Sequence, residues 1–103
     1  MLTGRERDRS RETIIEGVTR ALLSTGERIQ VFQIEMKGGT DVPEHSHPNE
    51  QAGYIVEGKF EVEIGGEKGL LERGSFFQIP GNVPHSGYVH EDTILIDIYS
   101  PPR

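Results

Sequence analysis

The sequence predicts an all-β domain built from short antiparallel strands. Two observations carry that expectation. The apolar stretches are brief and rich in Val, Ile, Phe and Tyr, and glycine or proline cuts them at short intervals. There are 13 glycines and 6 prolines in 103 residues, a density that suits many turns far better than long helices. Such punctuation fits a sandwich, a barrel or a double-sheet jelly roll.

Taken in order, residues 1–13 are polar and charged without apolar periodicity. They read as a loosely ordered N-terminal arm, leaving 14–103 as a single domain. Within the arm, Arg5, Arg7, Arg9 and Arg11 alternate with Glu6, Asp8 and Glu12, the pattern of a solvated tail. GVTRALL (17–23) reads as a strand ending at STGE. The longer IEGVTRALL also admits a helix of about two turns, which Gly17 and the flanking turns disfavour. RIQVFQIEM (28–36) is rich in β-branched and aromatic residues and stops at Gly38-Gly39. AGYIVEG and KFEVEI follow as two strands, the second with Phe60, Val62 and Ile64 on one face. Gly65-Gly66 is a hairpin signal, then come KGLLE, a turn at Arg73-Gly74, SFFQI, a Pro80-Gly81 corner and TILIDIY (93–99). In this last strand Ile94, Ile96 and Ile98 share one face, which reads as core. Leu95, Asp97 and Tyr99 share the other, which is either solvated or lines a barrel mouth.

Composition bounds the function. Without cysteine there are no disulfides and no thiolate metal sites, which fits a reducing cytoplasm. No apolar run has the length of a membrane span, and no signal-peptide core is visible, so the expected location is cytoplasmic. The net charge is −6, and an acidic protein gains nothing from releasing phosphate counterions, which argues against a nucleic-acid partner.

Chemistry concentrates in VPEHSHPNEQAGYIVEG (42–58). In a strand, residues i and i+2 project the same way, so His45 and His47 can aim two imidazoles into one cavity. Gln51 can bring an amide oxygen to the same point, and His85 follows a second proline corner in IPGNVPHSG. Three imidazoles and one side-chain oxygen suit one divalent ion of Mn, Fe, Co, Ni, Cu or Zn, with positions open for substrate. A histidine pair also occurs as surface or hydrogen-bonded filler, and spacing alone does not choose between the two. His90, beside Glu91 and Asp92, reads as a surface turn residue.

These segments resemble the two cupin motifs. Gly39 is followed after five residues by His45 and His47, then Gln51 and, six residues further, Gly58. The second segment runs Gly74, five residues, Pro80, then His85, and fifteen residues separate Gly58 from Gly74. The resemblance spans roughly residues 27–99 and implies a double-stranded β-helix, the cupin jelly-roll barrel, with metal held by His45, His47, Gln51 and His85. Three positions depart from the pattern. Gln51 stands where glutamate is frequent, Asn82 replaces a glycine, and Val89 replaces a final asparagine that is not a ligand. Asn tolerates the left-handed conformation. The glutamine leaves a dication uncompensated by its ligands, which favours an anionic substrate.

The ending LIDIYSPPR, together with HSHPNEQAGYIVEGKFEVEIGGE and IPGNVPH, is similar to the small cupins of pectin and alginate breakdown, which linearise 4,5-unsaturated uronates. That resemblance implies a small sugar acid as substrate, Asp97 as proton shuttle, Tyr99 shaping the pocket and Arg103 holding the carboxylate. Two other functions fit the same ligands: a metal-dependent dioxygenase using Fe(II), and a small-ligand-binding cupin without turnover. Strand edges, the N-terminal arm and the resemblance together imply a homodimer.

Overall fold

The computed structural model describes residues 2–103, and within them the chain is all β apart from one 3₁₀ turn at Glu6–Asp8. Eight strands follow: β1 Arg11–Ile15, β2 Val18–Thr25, β3 Gln30–Met36, β4 Asp41–His45, β5 Glu50–Ile64, β6 Glu67–Glu72, β7 Phe76–Ile79 and β8 His85–Ser100. All pairings are antiparallel, in the order β1-β2-β3-β8-β5-β6, with β4 on β8 and β7 on β5. No helix among the described residues is long and apolar enough to cross a membrane.

Two long strands organise this jelly roll. The first half of β5 pairs with the second half of β8, from Glu50↔Ser100 to Glu57↔Ile94, and the remaining halves pair from Lys59↔Glu91 to Ile64↔His85. Register shifts between Ile55 and Phe60 mark the crossing from one half to the other. Gly58 makes the crossing possible. Its φ is +111°, and a Cβ there would lie 2.4 Å from both the Asp92 carbonyl and the Thr93 hydroxyl, so no other residue fits.

The core lies between the halves. Phe32, Ile34 and Met36 of β3 pack with Ile55, Phe60 and Val62 of β5, Phe77 and Ile79 of β7, and Val89, Leu95 and Tyr99 of β8. Phe60 and Val62 are buried as their alternation predicts, and Ile64 packs against them half-buried.

Four readings of the sequence change. Arg11, Glu12 and Thr13, assigned to the loose arm, pair with Ala21, Arg20 and Thr19 in β1. AGYIVEG and KFEVEI are one continuous strand, because Gly58 bends the chain without ending its pairing. His90 is exposed as expected but lies within β8, where its Nε2 is 3.2 Å from Glu61 Oε1. In β8 the inward face is Thr93, Leu95, Asp97 and Tyr99, whereas Ile94, Ile96 and Ile98 are half-buried on the outside. Asn82 does take the left-handed conformation, at φ +67°.

Candidate metal centre

His45 closes β4, His85 opens β8, and the two are paired neighbours across the sheet. His47 is not on a strand. It sits in the loop between β4 and β5, which turns it inward behind His45. The ring centroids lie 4.1 Å apart for His45–His85, 5.0 Å for His47–His85 and 6.1 Å for His45–His47. One nitrogen from each ring falls within 4.8 Å of the others, with His47 and His85 buried and His45 exposed at the mouth.

Backbone carbonyls fix which nitrogen that is. Nδ1 of His45 lies 2.8 Å from the Pro43 oxygen, Nδ1 of His47 3.0 Å from that of Asn49, and Nδ1 of His85 2.8 Å from that of Val83. A carbonyl only accepts, so each Nδ1 carries the hydrogen and each Nε2 presents a lone pair. This is how metal-binding imidazoles are oriented from behind. The Nε2 of His85 is buried without a hydrogen-bond partner among the described residues. Burial is the first cause that holds His85 below its ordinary pKa. His45, His47 and Arg103 push the same way against the Val83 carbonyl, so the neutral, ligating form is favoured.

Gln51 completes the set from β5. Its Nε2 donates to Asp97 Oδ1 at 2.9 Å, which turns Oε1 to within 3.1 Å of His47 Nε2. With Asp97 ionised and His47 neutral, two lone pairs then face each other, an arrangement that a cation between them would relieve. Transition-metal bonds of roughly 2.0–2.2 Å bring neighbouring donor atoms to about this separation. The four residues therefore fit a divalent metal.

Asp97, from the inward face of β8, is buried and connects the candidate ligand Gln51 to Tyr99. It accepts from Gln51 through Oδ1 and from the Tyr99 hydroxyl through Oδ2 at 3.3 Å. Burial pushes its pKa up to about 6, although the two donors and Arg103 pull the other way. Tyr99 is raised as well, by burial and then by the charge of Asp97. The Arg103 guanidinium lies 5.2 Å from the centroid of the Tyr99 ring. Its segment is pinned across the barrel mouth, because Asn49 Nδ2 donates to the Pro101 oxygen and the Arg103 amide donates to Gln30 Oε1.

His45, Gln51, His85, Asp97, Tyr99 and Arg103 line one cavity of about 340 Å³, and His47 is not among its lining residues. The structure thus brings together His45, His47, Gln51, His85, Asp97, Tyr99 and Arg103. Sequence reasoning missed Asn49 and Gln30, whose buried amides fix the C-terminal segment, and Arg20, which also lines the cavity. The amides gave no local signal. Arg20 gave one, since it alternates with Val18 on the inward face of β2.

The chain also resembles known proteins. The pectin degradation protein KdgF of Dickeya dadantii (strain 3937) is 29% identical over 94 residues, which cover 89% of this chain and 86% of that protein. The structure of KdgF from Halomonas sp. superposes with a TM-score of 0.90 at 29% identity, covering 98% of this chain and 96% of the other. A cupin described as RmlC-like, from Shewanella frigidimarina NCIMB 400, superposes with a TM-score of 0.92 at 30% identity, covering 97% and 90%. The Cupin_2 family, described as the cupin domain, matches residues 32–99, and with the barrel already traced strand by strand the conclusion follows that this chain belongs to the cupin family.

Proposed function

We propose that the chain is a metal-dependent enzyme that opens the ring of a 4,5-unsaturated uronate to give the linear keto acid. The observation that carries this reading is the unbroken set of groups from the imidazoles through Gln51 to Asp97 and Tyr99, beside the guanidinium of Arg103. The similarity to the KdgF proteins supports the substrate class.

The reaction is an isomerisation and needs no second substrate. The C1 hydroxyl loses its proton as the bond between C1 and the ring oxygen breaks, so C1 becomes an aldehyde and the ring oxygen an enolate oxygen on C5. One proton added at C4, matching the one lost at C1, then turns the enolate into the ketone. His45, His47, His85 and Oε1 of Gln51 would hold one divalent transition metal, which would supply Lewis-acid charge for an anionic substrate. Arg103 grips the carboxylate through parallel hydrogen bonds. Asp97 carries the proton, as the buried carboxyl on the cavity wall. Tyr99 donates to Oδ2 of that carboxyl and Gln51 to Oδ1, and together they hold the group in place.

The test follows the absorbance of the conjugated C4=C5 bond in unsaturated galacturonate and mannuronate monomers. Metal-loaded protein should accelerate its loss, and Asp97→Asn should slow the reaction ~10²–10⁴-fold. His45→Ala combined with His47→Ala should abolish bound metal by elemental analysis while the far-ultraviolet circular dichroism stays native. A spontaneous rate left unchanged on both sugars sinks the uronate reading. Oxygen uptake by Fe(II)-loaded protein would favour a dioxygenase instead.

A further inference from the structure

We infer that Arg20 is a substrate-reading residue that binds the hydroxyl-bearing end of the sugar, opposite the carboxylate. This rests on the uronate reading above and deepens it. The observation is an uneven cavity. Its polar groups cluster around the histidines, Asp97 and Arg103, whereas β1, β2 and β3 contribute Ile14, Ile15, Val18, Ile34, Met36 and Arg20. Arg20 is thus the sole side chain on that wall able to donate a hydrogen bond. A uronate carries hydroxyls on the carbons remote from its carboxylate. Burying them against isoleucine and valine would strip their hydrogen bonds from water with no replacement.

Arg20 is held ready for this task. Glu12, paired with it across β1 and β2, takes its Nε, and no described residue takes either Nη. The guanidinium carbon lies 4.5 Å from the centroid of the Phe32 ring, which fixes the plane of the group. Phe32 meets Tyr99 edge-on at 5.8 Å, and Tyr99 lies beneath Arg103. Two guanidinium forks therefore flank one aromatic pair. Arg103 is on the carboxylate side, and Arg20, with its Nε on Glu12, has both Nη without a described partner on the hydroxyl side.

Arg20→Met keeps the stem on Phe32 and removes the fork. A hydrogen bond from a charged donor sets the expected size of the effect, so KM for the unsaturated uronate should rise roughly 10–100-fold with kcat within a few-fold. Bound metal and Tm should stay near wild type. The discriminating probe is 3,4-dihydro-2H-pyran-6-carboxylate, which keeps the ring oxygen, double bond and carboxylate but has no hydroxyls. As a competitive inhibitor it should bind wild type and Arg20→Met equally. Equal weakening of probe and sugar would show a merely structural role and overturn the inference. So would an unchanged KM in the variant when the wild type is active. A wild type with no activity on the uronate removes this inference together with the reading it rests on.

Discussion

An amide at position 51 serves two neighbours that a carboxylate could not serve together. Its oxygen faces His47 Nε2 and its NH₂ donates to Asp97. Gln51→Glu would replace that donor with a second carboxylate oxygen about 2.9 Å from Asp97, and two carboxylates so close do not both ionise. The variant should hold metal at least as tightly as wild type and turn over more slowly, because the added charge blunts the centre and Asp97 keeps a proton. Metal titration alongside initial rates checks both parts, and equal or faster turnover would show that the amide is dispensable. At this scale the spacing made all four residues candidates, and the resemblance to the cupin motifs is what favoured a metal site over a chance histidine pair. The link from Gln51 to Asp97 was not legible, since 46 positions separate them and only the pairing of β5 with β8 brings them together.

Strand β8 shows what alternation reveals and what it leaves open. A period of two sorts Ile94, Ile96 and Ile98 from Leu95, Asp97 and Tyr99, but it does not say which set points inward. Hydrophobicity suggested the isoleucines, yet the inward set contains the buried aspartate, whose burial is tolerated because Gln51 and Tyr99 donate to it. Truncating the two faces should therefore give unequal results. Leu95→Ala should cost about 2–5 kcal/mol, since Leu95 is 3% exposed. Ile96→Ala, on the half-buried outer face, should cost roughly 1 kcal/mol. Urea melts of the two variants decide it, and a larger loss for Ile96 would reverse the assignment of the faces. The turns at Gly65-Gly66 and Arg73-Gly74 were readable because each needs a left-handed glycine. The fusion of two apparent strands through Gly58 was not, since a glycine between apolar runs looks the same whether it ends a strand or bends one.

At the level of the whole molecule, the outer face of the sheet and the buried charge each carry an expectation. Cross-strand register places Gln33, Ile96, Tyr54 and Phe76 in one outward row, with Phe76 79% and Tyr54 52% exposed. For the homodimer that the sequence leads one to expect, we propose this row as the contact, so Phe76→Glu should shift such a dimer toward monomer in light scattering without loss of metal. A dimer that survives the charge puts the contact elsewhere. The last prediction concerns what Asp97 costs the fold. Its pKa rises from the ordinary 3.8 to about 6 on burial, so the folded protein holds that proton more tightly than the unfolded chain does. The stability it contributes is therefore full below about pH 4, falls as pH climbs through 6, and is absent at neutral pH. The gap between the two pKa values corresponds to about 3 kcal/mol. Asn at this position keeps the shape and never ionises. In chelator-treated protein, Asp97→Asn should match wild type near pH 4 and exceed it by up to about 3 kcal/mol at pH 8. Other titrating groups largely cancel in that difference, so denaturation curves of the pair across this range isolate the one carboxyl. A gap that does not widen with pH would mean that the carboxylate is compensated by its donors, and then the barrel would lose nothing by keeping it charged. A gap that widens while turnover collapses would show stability given up for a proton carrier in the cavity.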